Sequence, residues 1–310
     1  GAFGQKVTLM GTVASVDSSL MRTDRDGAQA VYTWDGASSR YASTAGAGAF
    51  DTIAYDESAA QFVWTDGDTG LTERYQSTGP GRLLRATDAD GNTVSYAYNV
   101  SGTVQSLTDA NGEVTYYDYS GNQLTQIRSV DVGGKGLTRV RYGYDGGGRL
   151  STVTADLSPE DGNIADGRTY VTAYTYDGAS SRVASVAQSD GTTLAFTYVH
   201  HEGAYKVASV TDSLGAVTRF SYDTAQGATT VTDPLGAQSV YSYDAQGQLL
   251  ELRQGVTASH PRGASQVSYS YDAFGNVKDA SDGEGYRVDF IYDQRGNLSA
   301  EYDSDRRYRS

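Results

Sequence analysis

The chain has no cysteine. Disulfide staples and thiolate metal sites are therefore excluded; export remains compatible with this but is not implied by it. Histidine is nearly absent, with three residues in 310, which leaves little material for an imidazole metal centre. No run of 18 apolar residues occurs, so no segment reads as a membrane-spanning helix. The opening residues, GAFGQKVTLMG, lack a charged n-region and an apolar core and do not read as a signal peptide. Leu, Ile, Val and Phe together make 54 of 310 residues. With a net charge of −14, that composition borders on the disordered class. Acids outnumber bases 38 to 24, which disfavours nucleic acid and anionic membrane surfaces as partners.

What the chain does have is repetition. Phe220-Ser-Tyr-Asp223 returns as Tyr241-Ser-Tyr-Asp244, with Asp233-Pro-Leu-Gly236 between them. Alignment on the second aromatic of this phrase gives register positions Trp34, Tyr55, Tyr75, Tyr98, Tyr119, Tyr144, Tyr176, Tyr198, Tyr222, Tyr243, Tyr271 and Tyr292. Those are twelve copies at steps of 20 to 32 residues, and the second and third copies are degenerate. Internal repetition at such a period implies stacked supersecondary units.

Each copy has one grammar. An alternating run such as Val94-Ser-Tyr96-Ala-Tyr98 predicts a strand with Val94, Tyr96 and Tyr98 on one face. A turn such as Asp244-Ala-Gln-Gly247 follows, then a second short run such as Val104–Leu107 or Val207–Val210. A second turn closes the unit, with Gly91, Gly112, Gly191, Gly215 and Gly236 as its glycines. Asp bonds the backbone ahead of it, and Gly supplies positive φ at low cost. Each repeat is thus a β-hairpin, and twelve give about 24 antiparallel strands. At ~4.8 Å per strand, a flat sheet would span on the order of 100 Å. Twist disfavours so wide a flat sheet. The expected fold is all-β, with tandem hairpins in one long, spiralling antiparallel sheet forming part of a tube or shell.

The 25 tyrosines fit this fold. They mark every second strand, with one Leu-, Val- or Thr-bearing strand between to pack against the rings. Packing is the favoured reading; a platform that stacks sugars or bases is the alternative. Of the bases, 20 are Arg and 4 are Lys. Arg planes stack on Tyr faces, a role that suits Arg141 beside Tyr142 and Arg219 beside Phe220.

Residues 1–310 read as a single array, clearest over 83–303. Residues 1–23 are a partial repeat and 36–82 a degenerate region anchored by Phe62-Val-Trp64. Both ends read as cuts in a longer protein. Three long steps place extra residues at 131–136, about 157–167 and 255–264, all at the Asp-x-x-Gly turn, so the loops are expected to project from one edge. Loops on a fixed scaffold are frequent binding elements; tolerated insertion at a surface turn is the plainer explanation.

No catalytic residue emerges. His200-His201-Glu202 sits at a turn, and adjacent strand residues face opposite ways, a poor metal pair. His260-Pro261 falls in an insertion. Asp88-x-Asp90-Gly91-Asn92 has its Gly too early for an EF-hand loop and recurs as an ordinary turn. Gly133–Gly136 lacks the full phosphate-loop pattern, and Gly146–Gly148 is the repeat's own turn. No cofactor is expected.

Tyr142-Gly-Tyr-Asp145-Gly-Gly-Gly148-Arg-Leu150, Tyr241-Ser-Tyr-Asp244-Ala-Gln-Gly247-Gln-Leu249 and Thr232-Asp-Pro-Leu-Gly236 resemble the YD repeat of the RHS family. Tyr174-Thr-Tyr-Asp177 and Tyr269-Ser-Tyr-Asp272-Ala-Phe-Gly275-Asn are near matches, and the resemblance spans about residues 24–303. It implies a hollow shell of the kind found in bacterial RHS toxins, insecticidal toxin complexes and teneurins. In the bacterial members the shell encloses a C-terminal toxin, often freed by self-cleavage near an Asp-Pro-containing motif. Asp233-Pro234 is instead a mid-repeat turn, so the resemblance assigns no cleavage residue here. It implies a non-enzymatic wall segment of a secreted or surface bacterial protein, with further repeats and a toxin cargo of the same parent chain as partners. The alternative is an adhesin-like module that recognises glycans or a surface receptor.

Overall fold

A computed structural model of the chain describes residues 4–43, 50–159, 167–293, 296–304 and 308–309. Among these residues it contains 27 β-strands and no α-helix. The chain divides into two compact units, Gly1–Gly143 with Thr154–Thr169, and Tyr144–Val153 with Tyr170–Ser310. Within each, strands pair antiparallel with their sequence neighbours.

The turns have one construction. In Asp233–Ala237 the Gly236 N–H donates to the Asp233 carbonyl (3.0 Å) and the Asp233 N–H to the Ala237 carbonyl (2.9 Å). Asp233 Oδ1 accepts from the N–H groups of Leu235 and Ala237, at 2.9 and 2.8 Å. Gly236 takes φ +88°. This is a type I turn followed by a left-handed glycine, the geometry that joins strands through a three-residue loop. Gly91, Gly112, Gly191 and Gly215 hold the same place, with φ between 80° and 88°. The turns of the Tyr-Asp phrase repeat it, as at Asp145–Gly148 and Asp272–Gly275.

A second irregularity recurs within the strands. Tyr98 pairs with Val104 but Ala97 with Ser106, so Gln105 is an extra residue. The same shift follows Leu83, Leu124, Val183, Val207, Leu249, Val277 and Leu298. Each is a β-bulge, one unpaired residue that bends its strand and sharpens the twist. The sequence carries its signature, apolar residues three apart where strict alternation would put them two apart: Val104/Leu107, Val183/Val186, Val207/Val210.

In the first unit the strands from Lys6–Met10 to Leu83–Thr87 turn back on themselves. The Val7 N–H donates to the Gly81 carbonyl at 2.8 Å, and Lys6 bridges to Arg82. Gly81 sits at φ +62°, and a Cβ there would lie 1.8 Å from the Val7 carbonyl oxygen. Enclosed by this curl is a core of Val7, Leu20, Tyr32, Tyr41, Ile53, Phe62, Trp64, Tyr75 and Leu83, none more than 5% exposed. Region 36–82, degenerate as repeat sequence, therefore contributes much of the tightest packing. In the second unit Val240 is the most buried hydrophobic residue among the described residues, at 9%; most strand positions there are half-buried.

Asp56, Asp88, Asp145 and Asp272, all at turns, titrate low. Asn92 holds Asp88 down, Arg149 holds Asp145 down and Asn276 holds Asp272 down, through hydrogen bonds to the charged form. Bonds from Ser58 and Arg74 bring Asp56 to about 2, from an ordinary 3.8. A carboxylate whose folded value lies below its unfolded one contributes stability that is complete above the unfolded pKa and is lost as pH falls through the folded one. Urea midpoints should therefore be level above about pH 4 and decline steadily from there towards about pH 2. A level midpoint across that acid range would show that the turns do not depend on charged aspartate.

Candidate functional site

Two arrangements concentrate polar side chains. The first lies in the closed core. Strand residues Arg22 and Glu73 both point inward, 8% and 5% exposed. Glu73 accepts from Gln5 Nε2 at 2.8 Å, from Arg22 Nη2 at 2.8 Å and Nε at 3.1 Å, and from the Tyr75 hydroxyl. The guanidinium lies 3.7 Å over the Trp64 ring. Trp64 Nε1 donates to the Tyr32 hydroxyl (3.1 Å), which donates to Asp51 (3.3 Å). Burial works against the Arg22 charge, but Tyr75 and Glu73 outweigh it and hold the guanidinium charged. Burial pushes the Tyr75 phenol far up and Tyr32 to about 12. The network is a satisfied structural one, and sequence reading missed it because Arg22 and Glu73 look like ordinary strand charges. Glu73→Ala should destabilise the first unit by about 3–5 kcal/mol, because Arg22 is left buried and unpaired. Arg22→Met/Glu73→Leu should cost less than the single change. Both tryptophans, Trp34 and Trp64, lie in this unit, so urea unfolding followed by tryptophan fluorescence reads it directly.

The second arrangement is repeated. The Tyr176 hydroxyl donates to the Leu150 carbonyl at 2.6 Å. Tyr98 does the same to Leu83 (2.6 Å), Tyr198 to Val183 (2.6 Å), Tyr222 to Val207 (2.8 Å) and Tyr271 to Leu249 (2.8 Å). In each case a register tyrosine reaches back to an aliphatic residue of the preceding repeat, and Leu83, Val183, Val207 and Leu249 are also the residues that open a bulge. The residue before that aliphatic is cationic in four of the five. Arg149 lies 4.4 Å over Tyr176, Arg82 5.4 Å over Tyr98, Arg182 5.6 Å over Tyr198, and Lys206 Nζ 4.8 Å over Tyr222. Arg149 also pairs with Asp145 at 2.7 Å and donates to the Gly178 and Ser180 carbonyls, at 2.8 and 2.6 Å. Arg182 pairs with Asp177 at 2.7 Å. The phrase Tyr-Asp-x-x-Gly-Arg-Leu is thus a latch: Asp forms the turn and holds Arg, Arg covers the next tyrosine, and Leu offers that tyrosine its carbonyl. Burial raises the phenol of Tyr98 to about 12 and lifts Tyr222 and Tyr271 as well.

The other register residues vary this plan. Trp34 packs edge-on to Tyr41, ring centroids 5.0 Å apart. Tyr119 pairs with Leu124 and Tyr292 with Leu298 at their bulges. Tyr144 closes the strand Gly136–Tyr144. Tyr243 pairs with Leu249, and its N–H donates to the Gly227 carbonyl at 2.8 Å. Arginine stacks on tyrosine at the latch positions and also away from them, Arg128 4.4 Å over Tyr116 and Arg182 3.8 Å over Tyr205; Arg141 instead donates to Gln126 at 3.2 Å.

The remaining candidates are structural in their contacts. His200 packs on Tyr205 and His201 on Tyr222, with His201 Nε2 2.9 Å from Thr224 Oγ1. His260 meets the Ser259 hydroxyl at 3.1 Å. Among the described residues no three of His, Cys, Asp and Glu gather as a metal site. At 131–136 the expected loop is an ordinary turn, Gly134 N–H to the Asp131 carbonyl at 2.9 Å. The extra residues there lengthen the flanking strands, Gln123–Val130 and Gly136–Tyr144. The 255–264 segment is a true loop, closed by the Ala264 N–H on the Gln254 carbonyl at 2.7 Å. Residues 160–166 of the 157–167 segment lie outside the described residues.

Removing the hydroxyl in Tyr198→Phe should cost the second unit about 1 kcal/mol, through the lost hydrogen bond to Val183. Arg149→Ala should cost roughly 1–2 kcal/mol, and Arg149→Lys an intermediate amount, since lysine keeps the ring contact but lacks the planar fork. Urea unfolding followed by circular dichroism checks the order of the three; no loss in Tyr198→Phe would remove the latch as a stabilising element.

The RHS Repeat family model matches residues 81–114, and the Teneurin YD-shell model matches residues 119–309. No curated protein sequence gives a match. Among solved structures, the crystal structure of TcdB2-TccC3 is 12% identical over 93% of this chain and 22% of its own, with a TM-score of 0.37. The Photorhabdus luminescens Tc holotoxin pore is 12% identical over 93% and 21%, with a TM-score of 0.36. A porin-like protein from Bacteroides uniformis is 14% identical over 82% and 93%, with a TM-score of 0.23. These superpositions are too loose to carry an argument, and the chain spans about a fifth of the first two. The family matches follow the latch instead: they cover Arg82, Leu83 and Tyr98 and every later copy of the phrase. The chain belongs to the teneurin YD-shell family of RHS-type repeat proteins.

Proposed function

We propose that residues 1–310 form one stretch of YD-repeat wall in a larger exported bacterial protein, a non-enzymatic segment that encloses or delivers a toxin cargo. The observation that carries this reading is the latch. Register tyrosines that would serve a sugar-stacking platform have their hydroxyls bonded to backbone carbonyls, and in four repeats a cation over the ring. The aromatic array works on the chain itself, joining each hairpin to the next, as a wall requires. Membership of a shell family supports the same reading. The partners it implies are further repeats and a cargo of the same parent chain, and the location it implies is the bacterial exterior or surface.

Expression of the full-length gene product, with intact mass spectrometry under native and denaturing conditions, tests the proposal. The expected result is a specific cut beyond the repeats, with a small C-terminal piece that stays bound under native conditions. A single uncut chain with no separable piece, together with glycan binding that disappears on deletion of 255–264, would replace it with a surface-binding role.

A further inference from the structure

Where arginine stands in the repeat phrase, it plugs the gap between one acidic turn and the next. Arg149 does so with its charge on Asp145, its plane on Tyr176 and its remaining donors on the Gly178 and Ser180 carbonyls. Arg82 fills the equivalent gap so closely that a Cβ on Gly102, in the following turn, would lie 2.0 Å from its Nη2. At position 248 the phrase has glutamine. Gln248 Nε2 approaches the following turn at Gly275, 3.1 Å from an ideal Cβ, the approach Arg82 makes to Gly102. It brings no charge, and among the described residues no cation stands over Tyr271.

The gap therefore stays open, a cavity of about 430 Å³ lined by Asp244, Gln248, Tyr269, Tyr271 and Asp272 among others. Asp244 Oδ1 caps its own turn, accepting from the Gln246 and Gln248 N–H groups at 2.9 and 2.8 Å. Its Oδ2, the oxygen through which Asp145 receives Arg149, has no hydrogen-bond partner among the described residues. Asp272, which also lines the cavity, adds a second carboxylate, partnered among the described residues by Asn276 and its own turn. The following repeat shows the trend continuing: Asn276 is shorter still, Gly296 has nothing within 4 Å of an ideal Cβ, and the gap widens to about 570 Å³ beside Tyr292. One repeat earlier, by contrast, the backbone closes in, with a Cβ on Gly227 only 2.7 Å from the Tyr243 carbonyl oxygen.

We infer that the gap at Tyr271 is a receptor site for the guanidinium of an arginine carried by another polypeptide. The incoming side chain takes the place Arg149 holds in its own repeat: plane on the Tyr271 ring, one edge on Asp244 Oδ2, the other towards the carbonyls of the Asp272–Gly275 turn. The complementarity is that of a planar, multi-donor cation for an aromatic face beside a carboxylate. It does not depend on what the wall encloses.

The test titrates the 310-residue chain with the peptide acetyl-Gly-Arg-Gly-amide at low ionic strength, by NMR chemical-shift perturbation. The same peptide with citrulline, a neutral isostere of arginine, is the control. Saturable binding is expected for arginine, with affinity at least about tenfold lower for citrulline. Gln248→Arg should abolish it by supplying the guanidinium internally, and Asp244→Asn, which keeps the turn-capping oxygen, should weaken it about tenfold. Circular dichroism confirms that each variant is folded; Asp244→Asn alone decides if Gln248→Arg is not. No saturable binding of the arginine peptide up to about 10 mM, equal binding of the citrulline peptide, or affinity unchanged in a folded variant would each overturn the inference.

Discussion

The hydrogen bond from a register tyrosine to the carbonyl of the preceding repeat is the constraint on which the array depends. A hairpin meander half-buried on its strands has no second layer to supply a conventional core. Backbone ladders fix neighbouring strands but do not distinguish one face from the other. The tyrosine does: its hydroxyl ends on a named carbonyl of the strand before its own, as Tyr176 does on Leu150. The bulge belongs to the same device: the one opposite Tyr198 falls directly after Val207, whose carbonyl the next register tyrosine, Tyr222, uses. A one-residue slip would turn the ring to the opposite face, so the latch also fixes register.

The cation before the aliphatic gives the latch its charge logic. Arg182 lies between its own turn aspartate and the next tyrosine, so one side chain links the turn of one repeat to the ring of the next. Arg82, Arg149 and Arg182 are placed this way, over the tyrosine of the next repeat. Lys206 shows that a point charge serves over the ring. Only the planar fork, as in Arg149, also reaches the carbonyls of the following turn.

Much of this was legible in the sequence, and the part that was not has a physical reason. Asp-x-x-Gly is written in the chemistry of four consecutive residues, so Gly91, Gly215 and Gly236 could be placed in turns directly. Hairpins, antiparallel pairing and the face shared by Tyr96 and Tyr98 follow from alternation. The bulge was written too, as Val207 and Val210 three apart in a strand, but a broken alternation reads as noise until a partner strand shows it. The role of Arg149 depends on a tyrosine 27 residues on, a distance no local pattern spans. The loop expected at 131–136 failed for a related reason: added residues can lengthen two paired strands as readily as a loop, and step length alone does not say which.

The least legible region is the most tightly packed, and the two facts share a cause. Where strands curl back so that the Lys6–Met10 strand reaches Gly81, the inward positions are wholly removed from water and are filled by large residues: Tyr32, Tyr41, Phe62, Trp64 and Tyr75. Burial of one such ring contributes about 1.5–3 kcal/mol, more than a latch hydrogen bond of about 1 kcal/mol. Hairpins held by such a core do not require Asp, Gly, Arg and Leu at fixed spacing, and Tyr55 and Phe62 pair there with no bulge at all. The half-buried hairpins beyond have no comparable burial to draw on and depend on the latch, whose phrase stands in full at Tyr144–Leu150 and recurs with substitutions in the repeats that follow. Repeat clarity in this chain therefore runs opposite to core depth. Gln248 then stands out as a departure from the phrase where no deep core compensates, which leaves the aromatic face of Tyr271 and a carboxylate oxygen of Asp244 facing an open gap.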